Sequence, residues 1–197
     1  MDKGDRTRET IVAHASDVAS EIGLEGLSIG GLARDLEMSK SGLFAHFQSK
    51  EGLQIQVVEH AVACFVADVV QPALTTPRGV RRLRALLDRW MAWLQHGPFR
   101  GGCFFMAAAM EFDDRPGPVR DRIASAQRDW IEFLAGAARV GVETGDLRPD
   151  LDPRQLAFEV YGAMMAYQHH ARLLDDPDAA SRLRTAFDRL LADAARS

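Results

Sequence analysis

Cysteine is scarce in this chain. Its 197 residues hold two, Cys64 and Cys103, too few for a disulfide framework and in keeping with a reducing compartment. Excess charge is missing as well. The formal net charge is −4, so there is no global basic signature for binding nucleic acid. Strand patterning is absent, because alternation of apolar and polar residues never persists and no Asn-Gly or Asp-Gly pair offers a hairpin turn. The opening "MDKGDRTRET" has no apolar run, so no secretory signal is expected. The most apolar stretches, 57–74 and 103–112, are broken by Glu59, His60, Asp68 and Glu111. Neither suits a membrane span, and a cytoplasmic protein with no membrane partner is expected.

Motifs that carry covalent chemistry are equally sparse. There is no nucleophile elbow, no phosphate-cradling glycine loop and no HExxH. The pair Asp113-Asp114 sits at an expected helix end and fits a solvated loop. No converging acid, base and nucleophile is found, so no catalytic residue is assigned, no cofactor is expected and the chain is not expected to be an enzyme. His60 and Cys64 share a helix face at i and i+4, but two ligands do not make a metal site, and no metal is expected.

What the sequence does have is apolar residues at three- and four-residue steps. Ile11, Ala15, Val18 and Ile22 predict a first helix stopped by Gly23. Ile29, Leu32, Ala33 and Leu36 predict a short second, and Leu43 with Phe47 a third. Leu53, Val57, Ala61, Cys64, Phe65 and Val69 predict a long fourth, ending before Pro72. Further helices are expected around 80–94, 104–112, 119–142, 156–174 and 183–191, giving an all-α chain of about nine helices. Ser28, Ser39 and Ser49 sit where a hydroxyl can accept from first-turn amides. Asp152-Pro153-Arg154-Gln155 has an acidic cap with proline behind it, and Thr76-Pro77 and Asp176-Pro177 repeat that pattern. Helices are short before about residue 52 and long after it.

The stretch "LARDLEMSKSGLFAHFQSKEGL", residues 32–53, packs two of the short helices around a turn at Glu37-Met38. That is the layout of a helix-turn-helix. Leu32, Leu36, Met38, Leu43 and Phe47 form its expected inward face, and small Ala33 permits close approach. Lys40, Ser41, Phe44, Ala45 and His46 are left facing outward. Short polar residues at the start of the second helix suit entry into a major groove. Residues 1–52 carry six basic and nine acidic side chains, but 38–50 hold Lys40 and Lys50 and no acid. Modest non-specific affinity follows, with any specificity carried by one face.

These residues resemble the DNA-binding signature of the TetR family of bacterial transcriptional regulators. The match runs through Thr10-Ile11, Ala13 to Ala19, Gly23, Ser28-Ile29, Leu32-Ala33, Ser39-Lys40, Leu43-Phe44-x-His46-Phe47 and Lys50-Glu51-x-Leu53. The resemblance implies an N-terminal three-helix DNA-binding domain over 1–52 and a larger ligand-binding and dimerisation domain over 53–197. It implies DNA contacts at Ser28, Ser39, Lys40, Ser41, Gly42, Phe44, His46 and Lys50. Three positions depart from the family pattern. Glu37 replaces the usual turn glycine, at a cost of roughly 1 kcal/mol if left-handed. Phe44 replaces a tyrosine that meets phosphate, and Gly42 a threonine that can touch a base methyl. Lys40 and Ser41 then carry more of the direct readout, with lysine–guanine pairing favoured.

The resemblance also implies double-stranded DNA, a small-molecule effector and a second copy of the chain as partners. A homodimer is expected through the last two helices, with Ala163, Ala166, Leu183, Phe187 and Leu190 at the interface. Trp90, Trp93, Phe105, Met106, Met110, Glu111, Trp130, Phe133, Tyr161, Met164 and Met165 are candidate pocket residues for an apolar or amphipathic effector. Glu111 is either a polar anchor there or a partner for Arg115 or Arg120. The expected function is a repressor released from a palindromic operator by its effector. The alternatives are a redox or electrophile sensor acting through Cys103, and a helical interaction module without specific DNA binding.

Overall fold

The computed structural model describes residues 3–195, with the backbone alone for Lys3. Nine helices run through the described residues: α1 (Lys3–Ile22), α2 (Ile29–Asp35), α3 (Lys40–Phe47), α4 (Lys50–Leu74), α5 (Val80–His96), α6 (Phe104–Phe112), α7 (Pro118–Glu143), α8 (Pro153–Arg172) and α9 (Ala179–Ala194). An isolated antiparallel bridge between Leu147 and Ala195 is the strand-like pairing among these residues. The all-α class and the helix number agree with the sequence periodicity.

Local chemistry explains where the helices start. Ser28, Ser39 and Ser49 each cap a helix, accepting from the amides of Gly31, Gly42 and Gly52. Asp152 accepts from the Arg154 amide, with Pro153 in the first turn of α8. Two expected caps are displaced. Thr76 closes α4 instead of opening α5, donating from Oγ1 to the Ala73 carbonyl at 2.7 Å. Asp176 accepts from the Asp178 amide at 2.9 Å, and α9 begins at Ala179.

Helix α4 continues past the expected stop at Pro72. Its segment Val66–Val70 is π-helical, and Gln71–Leu74 resumes α geometry. Proline has no amide hydrogen to donate, and the wider π turn absorbs the lost bond without ending the helix. By length and composition α4 is apolar enough to cross a bilayer. Leu53, Val57, Ala61, Phe65 and Val69 are nevertheless buried inside the protein, and Glu59 on its exposed side pairs with Arg122.

The chain forms two compact units, and none of the three boundaries between them lies at residue 52. One comprises the described residues up to Ala67 together with Leu94–Ala126; the other comprises Asp68–Trp93 together with the residues from Gln127 onward. The first unit gathers α6 and its flanking loops onto α1. Gly101 makes this possible: a Cβ there would lie 1.7 Å from the Ser20 carbonyl oxygen at the end of α1. Arg100 secures the approach, donating from its amide to Asp17 at 3.0 Å and from Nε to the same carboxylate at 2.8 Å. In the second unit α9 packs on α8 and has Leu183, Phe187 and Leu191 buried, while Trp90 of α5 meets Tyr167 of α8 edge to face at 5.7 Å.

Candidate nucleic-acid interface

Helices α2 and α3 hold each other through Leu32, Ala33, Leu43 and Phe47, all buried, with Leu36 and Met38 half-buried. Glu37 is left-handed at φ 54°. The turn closes when the Met38 amide donates to the Ala33 carbonyl at 2.8 Å. Gln48, at φ 63°, ends α3 in the same region of backbone space. Sequence reasoning missed it, because no glycine or asparagine marks the position.

The outward face follows from this packing. Ser28, Ser39, Lys40, Ser41, Phe44 and Ala45 are exposed, while Gly42 and His46 are half-buried. Phe44 is 50% exposed, a large ring in water with no core to serve. Ser39 leaves the first amides of α3 pointing outward beside Lys40, a positive helix end that suits phosphate.

Lys50 is placed differently from its neighbours. Its Nζ donates to the Glu25 carbonyl at 2.6 Å and to the Glu25 carboxylate at 3.1 Å. Gln54, nearly fully buried, donates to the Leu24 carbonyl and to the other Glu25 oxygen, each at 3.0 Å. Gln54 hydrogen bonding, then Lys50, then the more distant Arg115 charge hold the Glu25 carboxyl below its ordinary range. Gln54 went unread in the sequence; its only signal was an amide set among Leu53, Val57 and Val58 on an inward face.

Glu111 belongs to the same turn. It neither anchors a pocket nor pairs with Arg115 or Arg120. Its carboxylate accepts from the Leu24 amide at 2.8 Å and the Glu25 amide at 2.9 Å. Gly23, at φ 80°, makes room, since a Cβ there would lie 2.7 Å from Glu111 Oε1. The α1–α2 turn is thus tied to α6 by an acid accepting two backbone bonds.

The remaining candidates separate by unit. Phe105 and Met106 are buried in the first, where Phe105 meets Phe65 at 5.7 Å. Met110, expected to line a pocket, is 63% exposed there. It follows Met106 by four residues, but it lies with exposed Ala107 on the outer side of α6, away from buried Phe104, Ala108 and Phe112. Trp90, Trp93 and Met164 are buried in the second unit. Trp130, Phe133, Tyr161 and Met165 are half-buried. Trp130 stacks on Phe133, and Tyr161 donates to Gln127 at 2.7 Å. A cleft of about 430 Å³ opens in this unit between Arg78, Gly79 and Arg82 on one side and α7 on the other; of the sequence candidates, Phe133 lines it.

Of the two thiols, Cys103 is buried, and Cys64 is half-exposed with its sulfur 3.5 Å from His60 Nε2. On α9, Leu183 and Phe187 are 3% and 2% exposed and pack inside the chain rather than facing outward. Ala163 and Leu190 are half-buried and Ala166 is exposed. The outward apolar side chains are instead Phe158, Leu173 and Leu174, at 71%, 69% and 54% exposure. With Gly162, Ala166 and His169 they form a stripe along α8 and just beyond it, at helical spacing.

Comparison with known proteins bears on both halves. The family model of the bacterial regulatory proteins of the tetR family matches residues 11–57, and that of a tetracyclin repressor-like C-terminal domain matches residues 79–187. The HTH-type transcriptional repressor DhaR of Mycobacterium sp. (strain GP1) is 25% identical over 153 residues, which are 76% of this chain and 74% of that protein. A TetR transcriptional regulator from Chloroflexus aurantiacus J-10-FL superposes with a TM-score of 0.86 at 27% identity, covering 98% of this chain and 96% of the other. AibR, solved with isovaleryl coenzyme A and operator DNA, superposes with a TM-score of 0.71 at 24% identity over 91% of this chain and 97% of its own. With one family model on the helix-turn-helix and a second spanning more than half of the chain, the protein belongs to the TetR family of transcriptional regulators and is a DNA-binding protein of the repressor type.

Proposed function

We propose that the chain works as a homodimeric repressor, cytoplasmic, that binds a palindromic operator and leaves it when a small molecule binds. The observation that carries the reading is α3 itself. It is capped by Ser39, packed from behind by Leu43 and Phe47, and presents Lys40, Ser41 and Phe44 to solvent. In this reading residues 1–52 are the reading head, and residues 53–197 supply effector binding and dimerisation. Lys40 reads a base, Phe44 packs against sugar and phosphate, and the amides of Ser41 and Gly42 approach the backbone. Lys50, committed to Glu25, fixes the α1–α2 turn and gives little to phosphate.

Support for the dimer is the stripe from Phe158 to Leu174, since a contiguous apolar strip of this kind marks a protein-binding face. Two-fold symmetry about it sets the recognition helices for half-sites roughly 34 Å apart. Selection of bound duplex from a random pool, at two salt concentrations, tests the reading. A palindromic consensus retained by a sedimenting dimer is the expected result; no consensus at either salt rejects it. Lys40→Ala lowers affinity for the selected site by roughly 1–3 kcal/mol and relaxes one position of the consensus. An unchanged consensus assigns Lys40 to the backbone instead.

A further inference from the structure

We propose that the cleft between the start of α5 and α7 is the effector site, and that it takes an amphipathic carboxylate. The inference rests on the ligand-responsive reading above and adds where the ligand sits and what chemistry it has. At about 430 Å³ the cleft has the size of a small-molecule site. Its floor is Phe133, Ala137 and Val140 with the bare backbone of Gly136. A Cβ built on Gly136 meets nothing within 4 Å, so this glycine is not there to let another element approach. It leaves the floor open.

The polar groups are unevenly distributed. Gly79 lies against Gly141, so the two arginines enter from the α5 start, at the Val140 end of the floor. Asp129 lies eleven residues back along α7, roughly 16 Å of helix away. Glu132 is neutralised by Arg139 and Arg154, at 3.1 and 3.4 Å. Asp146, which also approaches Gly79, accepts from Thr144 Oγ1 at 3.1 Å and does not line the cleft. Arg82 donates from Nη2 to the Leu74 and Thr76 carbonyls, but its Nε is buried without a partner. The two Nη2 bonds fix the guanidinium on the cleft wall, where its charge favours an anionic ligand. Arg78 supplies the second cationic group on that wall. The arrangement points to a carboxylate head at the arginine end and an apolar tail over Phe133 and Val140. The buried pocket candidates read from the sequence, Trp90 and Met164 among them, are packed core in this account.

The test is calorimetric titration of the full chain with octanoate, octanol and octylamine. Octanoate binds saturably; octanol is roughly tenfold weaker because it lacks the charge-assisted bonds; octylamine does not bind. Arg78→Ala weakens octanoate several-fold and leaves octanol unchanged, because Arg82 keeps part of the charge. Gly136→Leu fills the floor and removes binding of both, and its melting temperature holds or rises because glycine is a poor helix residue. Absence of saturable octanoate binding, or undiminished binding in Gly136→Leu, overturns the proposal. Duplex selection on the unaltered chain and on Gly136→Leu separates the failures. A shared consensus without octanoate binding removes the site and leaves the regulator; octanoate binding without any consensus keeps the site and removes the regulator.

Discussion

The turn between α1 and α2 and the outer face of α8 manage their exposed surface in opposite ways. At the turn, side chains from elsewhere occupy the backbone polar groups: Glu111 takes two amides, and Lys50 and Gln54 take two carbonyls. Nothing further is needed to complete it. On α8 the backbone is satisfied by the helix, but Phe158, Gly162, Ala166 and Leu173 look outward with no chain over them. The first surface is closed by hydrogen bonds within the chain; the second is apolar and left uncovered among the described residues. A polar closure of the first kind is lost one bond at a time, whereas an apolar face is lost as an area.

The comparison breaks most sharply at Gly101. Its Cβ would overlap the Ser20 carbonyl, so Gly101→Ala forces the loop off α1 at a cost of about 3 kcal/mol, the upper end for overpacking. Urea unfolding measures this, and a shift below 1 kcal/mol shows that the loop moves freely. Next in size is Phe158→Glu. A charge on the stripe weakens self-association by roughly 2 kcal/mol or more, read by sedimentation equilibrium, with the melting temperature of dilute protein nearly unchanged. An unaltered dimer moves the interface to another face. Third is Glu111→Ala, which strands the Leu24 and Glu25 amides. The bonds are partly solvated, so the expected loss is about 1–2 kcal/mol, with faster hydrogen exchange at those two amides and none at α8. Protection that does not change there means water replaces the acid at no cost.

The smallest effect is that of pH. Arg122 hydrogen bonding depresses the Glu59 carboxyl, as the contacts from Gln54 and Lys50 depress that of Glu25. Both contribute stability that is full above their ordinary value of 4.5 and is lost as pH falls through the lower folded value. Burial lowers the pKa of His60 from 6.5, so below that pH the unfolded chain takes up a proton that the folded one refuses. All three make acid destabilising, and His60 acts first. The urea midpoint therefore declines between pH 7 and 5, and His60→Gln flattens that part of the curve; an identical slope in the variant assigns it to other groups.

The head was legible in the sequence because its signals are local. A serine cap, a turn and an i, i+4 apolar pair are each written within four residues, and Ser39, Glu37 and the Leu43–Phe47 pair each occupy the expected place. Glu111 was misread because its partners are 86 and 87 residues away, and no periodicity encodes a bond from a carboxylate to a distant turn. Leu183 and Phe187 were misread for a different reason. Helical spacing gives an apolar face without saying whether the same chain or another one covers it, and here the same chain does. The cleft was invisible because two of its defining residues, Gly79 and Gly136, contribute by having no side chain.

Glu37 has a consequence for how long the head survives in a cell. A side chain held left-handed at φ 54° costs roughly 1 kcal/mol that glycine would not. At that size the penalty multiplies the time the turn spends open by about fivefold. Proteases cut what opens, so the turnover of the whole chain is coupled to one residue in the turn between α2 and α3. In the proposed regulator a duplex seated on α3 opposes that opening by mass action, so the pool bound to DNA outlives the pool in search of it.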